Sequence, residues 1–164
     1  MDLHLVTSMA LPEAILAIGS LLILVFGSFR GDKGALSVSA LCGAALIAAA
    51  AAALFDAQGQ LFHGSFVVDK VAIFAKVAIY IAGVFVIALG QGYFDRTGGM
   101  RFEFPVLVTL ALLGMSMMIS AGDLIAMYIG IEMQSLAMYV LAGFRRDDAK
   151  SSEAGLKYFV LGAL

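Results

Sequence analysis

The chain has 164 residues, of which 62% are hydrophobic and only 13% are charged. Soluble domains carry about 25% charged residues, so this composition excludes an ordinary soluble domain and favours a polytopic membrane protein. The net charge of −2 argues against a nucleic-acid partner, because such a partner requires a basic face.

Long apolar runs, separated by charged or turn-like stretches, predict an all-α fold: a transmembrane helix bundle in a single domain. The runs are apolar on all faces, which is typical of helices buried in lipid or within a bundle. Five predicted spans and the start of a sixth cover, in chain order, residues 9–29, 34–55, 71–94, 104–122, 124–144 and 152–164. Since a span needs about 20 residues, the sixth is incomplete at Leu164, and we expect a fragment of a longer protein. The N-terminus lacks the basic residues of a secretory signal peptide.

Basic residues are distributed unevenly between the predicted connections. The connections after the first, third and fifth runs contain Arg30, Lys33, Arg96, Arg101, Arg145, Arg146 and Lys150. The N-terminus and the remaining connections carry Lys70 alone. Because basic loops are retained on the cytoplasmic side, we predict that the N-terminus lies outside. The short connection before Leu124 also predicts that the fourth and fifth helices are antiparallel neighbours.

Glu132 is the strongest candidate functional residue. It is the ninth residue of the fifth run, near the predicted bilayer centre, where a carboxylate costs about 2.5–3.5 kcal/mol. Protonation, a cationic partner or water in a cavity would offset this cost, and each suits a proton carrier. Tyr128, Ser135 and Tyr139 share its helical face and add hydroxyl groups, so Tyr128 and Ser135 are candidate pathway residues. The alternative is a neutral glutamate that only hydrogen-bonds to a neighbouring helix.

Three further charged residues lie nearer the ends of the runs. Glu13 is expected at the outer start of the first run, where it complements the helix dipole. Lys76 lies about 7–8 Å deep and is either an anchor that snorkels to the surface or a functional group. Lys157 lies at a similar depth from the opposite surface. It either snorkels inward or reaches Glu132 through one or two waters, as a further candidate in a proton pathway.

Weaker signals concern packing and helix ends. Ser39 and Gly43 form a pair of small residues of the kind found at helix contacts. His63, in the connection after the second run, is expected at the surface. Ser151 and Ser152, followed by an acidic residue, predict the N-cap of the sixth helix.

The second half of the chain carries a distinctive series of motifs. A Gly- and Met-rich helix is followed by the turn SAGDL, a helix with Glu before Ser-Leu and Tyr-Val-Leu, and then GFRR and SSEAGLKYF. Together, Gly114 to Leu164 resemble subunit N of the proton-pumping NADH:quinone oxidoreductase, respiratory complex I. Residues 68–76 (VDKVAIFAK) are similar to the start of that family's third helix, whereas the first 60 residues match it only in hydropathy. Subunits of multisubunit cation/proton antiporters share the fifth-helix Glu but differ in the motif that follows.

The resemblance implies an inner-membrane protein of about fourteen helices, in which inverted repeats form proton half-channels. It implies that Glu132 is the pathway glutamate of the first half-channel, and it assigns no specific role to Lys157. In the family this glutamate works beside lysines of the seventh and eighth helices, which this chain does not reach.

The predicted function is therefore that of a proton-translocating membrane-arm subunit of a translocase, which couples electron transfer from NADH to quinone to proton pumping. We expect no catalytic, cofactor or metal site in this chain; NADH, FMN, iron–sulfur clusters and quinone are expected in partner subunits. The expected partners are the other membrane-arm subunits and the lipid bilayer, in a bacterial inner (plasma) membrane. A subunit of a multisubunit cation/proton antiporter and a non-conducting membrane scaffold subunit remain alternatives.

Overall fold

A computed structural model describes residues 8–97 and 101–162. Long helices dominate this part of the chain: α1 (Leu11–Arg30), α2 (Ala35–Leu54), α3 (Lys70–Thr97), α4 (Glu103–Ile119), α5 (Leu124–Ala142) and α6 (Ala149–Gly162). Short 3-10 turns occupy Gly31–Gly34 and Phe62–Gly64. The strands β1 (Gly59–Leu61) and β2 (Phe66–Val68) lie between α2 and α3.

The helices follow the apolar runs of the sequence. Within the described residues, Leu11–Leu54, Lys70–Phe94 and Leu124–Ala142 are long and apolar enough to cross a membrane, and the first of these stretches contains both α1 and α2. The apolar helix α4 is shorter, with 17 residues. The structure is therefore mostly helical, with membrane-span candidates, and the number of spans stays a prediction.

The connection between α2 and α3 adds a short hairpin, which the sequence analysis did not predict, to the mostly helical fold. Here β1 and β2 pair antiparallel, with Gly59 opposite Val68 and Leu61 opposite Phe66. The chain reverses through left-handed backbone at Phe62, His63 and Gly64. Leu61 and Val68 are buried together against Met9. Because buried backbone N–H and C=O groups need hydrogen-bond partners, the two segments pair with each other.

The hairpin is joined to the α4–α5 turn by backbone hydrogen bonds. Val67 N–H donates to the Ser120 carbonyl at 2.8 Å, and Gly122 N–H donates to the Ser65 carbonyl at 2.9 Å. Met9, which lies just before α1, also packs against the hairpin. We call this end of the bundle the hairpin end.

The opposite end carries the basic connections, and we call it the basic end. Arg101, Arg145 and Arg146 line one cavity there, and Leu24, near the end of α1, lines a second cavity with Arg146. The connections after α1, α3 and α5 therefore meet at one end, as the distribution of Lys and Arg predicts.

Helices α4 and α5 are closely packed antiparallel neighbours, as the short connection predicts. A methyl group at Gly130 would come within 2.8 Å of the Met118 nitrogen and 3.0 Å of the Gly114 oxygen, so only glycine permits this approach. Asp123 caps α5 by accepting a hydrogen bond from Ala126 N–H at 2.7 Å, which lowers the pKa of the Asp123 carboxyl. In contrast, a methyl group at Gly43 would meet no atom of the described residues within 4 Å, so that small residue makes no close contact.

The predicted N-cap of α6 is wrong by three or four positions. The helix begins at Ala149, and Asp148 takes the capping role, because its carboxylate accepts from Lys150 N–H at 3.0 Å. Ser151 instead donates to the Ala142 carbonyl at 3.0 Å and so joins the first turn of α6 to the end of α5.

Candidate functional site

Glu132 lies midway along α5 on the face opposite α4. The buried positions of α5 are Gly130 and Ala137, which pack inward. At about 100° per residue, Glu132 lies about 200° around the helix from Gly130. Tyr128 lies on the same open face, is exposed, and its hydroxyl interacts with the Glu132 carboxyl. The structure thus brings Tyr128 and Glu132 together, as the sequence predicts.

The remaining hydroxyls of this face lie towards α6. Ser135 is half-buried. The Tyr139 ring packs edge-on against Tyr158, with ring centroids 4.8 Å apart, and against Phe159 at 5.8 Å. Helix α6 therefore covers the end of the face that contains Tyr139 and leaves Tyr128 open.

Lys157 does not approach Glu132. Its Nζ lies 2.6 Å from Glu153 Oε1, one turn earlier on α6, and both side chains are exposed. Among the described residues, no cation lies within ion-pair distance of Glu132. A pathway role for Glu132, Tyr128, Ser135 and Lys157 stays a prediction.

A second polar site lies at the hairpin end, inside the bundle. Lys76 Nζ lies 2.7 Å from Glu13 Oε1, and the Lys76 side chain is 0% exposed. The interpretation of Lys76 as a snorkelling anchor is therefore wrong, because neighbouring helices enclose the side chain and a buried carboxylate balances its charge. Glu13 does lie in the first turn of α1, but it forms a buried ion pair in addition to complementing the helix dipole.

Two hydroxyl groups extend this ion pair across the bundle. Ser116 Oγ on α4 donates to Glu13 Oε1 at 2.5 Å. The Tyr80 hydroxyl on α3 lies 2.5 Å from Ser116 Oγ, so with Ser116 donating to Glu13 the tyrosine donates to the serine. Lys76 Nζ also lies 4.9 Å from the centre of the Phe66 ring in the hairpin. We call Glu13, Lys76, Tyr80 and Ser116 the ion-pair cluster.

The sequence contained a partial signal for this cluster. Lys76 and Tyr80 are four residues apart, so both polar groups share one face of an otherwise apolar helix. The pairing with Glu13 was missed because it depends on how α1 and α3 pack. One minor prediction is confirmed: His63 is exposed.

The part of the bundle that contains α5 and α6 is similar to a class of membrane proteins, the antiporter-like membrane subunits. The family model described as "NADH:quinone oxidoreductase/Mrp antiporter, TM" matches residues 121–164, which include α5 and α6.

Within that class, the particular similarity is to NADH-quinone oxidoreductase subunit N. The subunit of Erythrobacter litoralis is 47% identical, and the match covers 100% of this chain and 35% of the relative. That of Sphingopyxis alaskensis is 51% identical over 93% of this chain and 32% of the relative. A chain of respiratory complex I from Thermus thermophilus, solved with bound aureothin, matches with a TM-score of 0.73 at 30% identity, covering 93% of this chain and 33% of that chain.

These matches confirm the predicted resemblance to subunit N. They extend over the first 60 residues as well, beyond the similarity in hydropathy predicted there. The chain spans about a third of the length of the relatives it matches.

Proposed function

We propose that this chain is part of a proton-translocating membrane subunit of NADH:quinone oxidoreductase. The observation that carries the proposal is the Glu132 carboxyl, placed midway along an apolar helix in a chain similar throughout to subunit N. A carboxyl in that position is inexpensive when protonated and costly when charged, so it is suited to loading and releasing a proton.

The neighbouring groups support transfer at Glu132. The Tyr128 hydroxyl is able to donate to the charged carboxylate or to accept from the protonated acid. Redox chemistry with NADH, FMN, iron–sulfur clusters and quinone is assigned to partner subunits. The other membrane-arm subunits and the bilayer are the proposed partners of this chain.

Co-purification tests this assignment against the antiporter alternative. We expect the affinity-tagged full-length protein, solubilised from its native membrane, to carry NADH:quinone oxidoreductase activity with it. A purified complex without redox activity, which exchanges sodium for protons in vesicles, would instead identify a cation/proton antiporter subunit.

We further propose a bacterial inner-membrane location with the hairpin end outside. The basic end carries Arg101, Arg145 and Arg146, and basic connections are retained in the cytoplasm. In a full-length Cys42→Ala background, we expect a membrane-impermeant maleimide added to intact spheroplasts to label Gln58→Cys and not Asp147→Cys. The reverse labelling pattern would overturn the orientation.

A further inference from the structure

The ion-pair cluster is enclosed by helices of this chain itself. Glu13 comes from α1, Lys76 and Tyr80 come from α3, and Ser116 comes from α4; all four are buried.

Polar atoms without partners lie at the same end of the bundle as this cluster. Among the described residues, the buried atoms Glu13 Oε2, Asp56 Oδ1, Asp56 Oδ2 and Ser120 Oγ have no hydrogen-bond partner. Ser120 lies one turn beyond Ser116 on α4, and its N–H donates to the Ser116 carbonyl. Buried polar groups are almost always satisfied by protein or by ordered water. Several free acceptors at one end of the bundle are available to bind water.

Asp56, just after α2, is electrostatically connected to the cluster. Burial raises the pKa of its carboxyl to about 7, while Lys76 lowers the pKa and Glu13 raises it. The charge of Asp56 also acts on the Tyr80 hydroxyl. The charged groups that act on Asp56 thus come from α1 and α3. Asp56 itself is half-buried and lies at the hairpin end of the bundle.

We propose that Asp56, Lys76 and Glu13 form a second proton-exchange site, separate from Glu132, in which buried water connects the Asp56 carboxyl to the free oxygen of Glu13. A structural ion pair alone accounts for Lys76 and Glu13. A structural ion pair does not account for the third carboxyl, Asp56, whose two oxygens are buried and unpartnered. A buried carboxyl of this kind only adds an electrostatic cost to folding unless it exchanges a proton.

The charges of the site balance with one exchangeable proton. With Lys76 positive, Glu13 negative and Asp56 protonated, the three groups are neutral. Release of the Asp56 proton to solvent at the hairpin end leaves one net negative charge. A proton that arrives through water at Glu13 Oε2 neutralises that carboxylate and passes by the same water to Asp56, which restores the starting state.

The first test measures proton binding without turnover. In the assembled, full-length enzyme, infrared difference spectra recorded between pH 5 and pH 9 should contain a carboxylic C=O band that titrates near pH 7. We expect Asp56→Asn to remove this band. Asp32→Asn, at an exposed position of the basic end, should retain it. A band unchanged by Asp56→Asn would overturn the proposal.

The second test rests on the proposed function, because its readout is proton pumping. Below pH 7 outside, Asp56 stays protonated and cannot release its proton, so the pumping rate of the unmodified enzyme should fall as the outer pH decreases through about 7. Asp56→Asn, permanently neutral, should lose this transition. An Asp56→Asn enzyme that assembles and keeps the transition would overturn the proposal.

The two tests distinguish failure of the exchange site from failure of the proposed proton-pumping function. An enzyme that shows the Asp56 band but pumps no protons supports the exchange site and contradicts the proposed function. An enzyme that pumps without the band or the transition contradicts the exchange site alone.

Discussion

Replacement of Glu132 by Gln in the assembled full-length enzyme is expected to reduce proton flux through this subunit by about 100-fold or more, the scale for loss of a positioned acid–base group. Gln keeps the size of the side chain and its hydrogen bond to Tyr128, but it carries no exchangeable carboxyl proton. Proton uptake by enzyme-containing vesicles, followed with a fluorescent pH indicator during NADH oxidation, measures the effect.

Two controls make this result specific to the carboxyl. Asp147→Asn removes a carboxylate from the exposed connection after α5 and should leave pumping unchanged. NADH oxidation with an artificial acceptor should be equal in all variants if the complex is assembled. Full pumping by the Glu132→Gln enzyme would support the scaffold alternative, in which Glu132 only hydrogen-bonds to another helix.

Lys76→Met is expected to cause the largest loss of stability among single substitutions in the described bundle. It removes the cation from a pair 2.7 Å apart and leaves Glu13 buried without its charge partner. Removing one member of a buried ion pair typically costs about 3–5 kcal/mol. Thermal unfolding and the yield of assembled, detergent-solubilised enzyme measure the loss.

The matched control lies on the same helix. Lys70→Met removes an exposed lysine from the first turn of α3 and should have little effect. Adding Glu13→Gln to Lys76→Met removes the uncompensated charge and should recover most of the lost stability. A double variant whose loss equals the sum of the losses of Lys76→Met and Glu13→Gln measured separately would show that Lys76 and Glu13 are not energetically coupled.

Much of the architecture is a local property of the sequence. Hydropathy located α1 to α5 because each apolar run requires burial of a helix-length segment, and the distribution of basic residues separated the two ends of the bundle. Glu132 was identified by its distance from either end of its run, which is a matter of sequence position alone. The hairpin was missed because β1 and β2 have only three residues each, too few to establish an alternating pattern.

Tertiary structure decided which polar groups meet. Lys76 had two open interpretations because the depth of a residue along a helix does not tell which neighbour its side chain faces. The packing of α1, α3 and α4 places the Lys76 side chain against Glu13. The crossing at Gly114 and Gly130 likewise set the rotation of α5 that leaves Glu132 on the face away from α4. The sequence by itself thus determined where helices form and which charges are costly, since both follow from neighbouring residues. Only the packed bundle determined which of those charges are paired, because a partner on another helix depends on the rotation and approach of both.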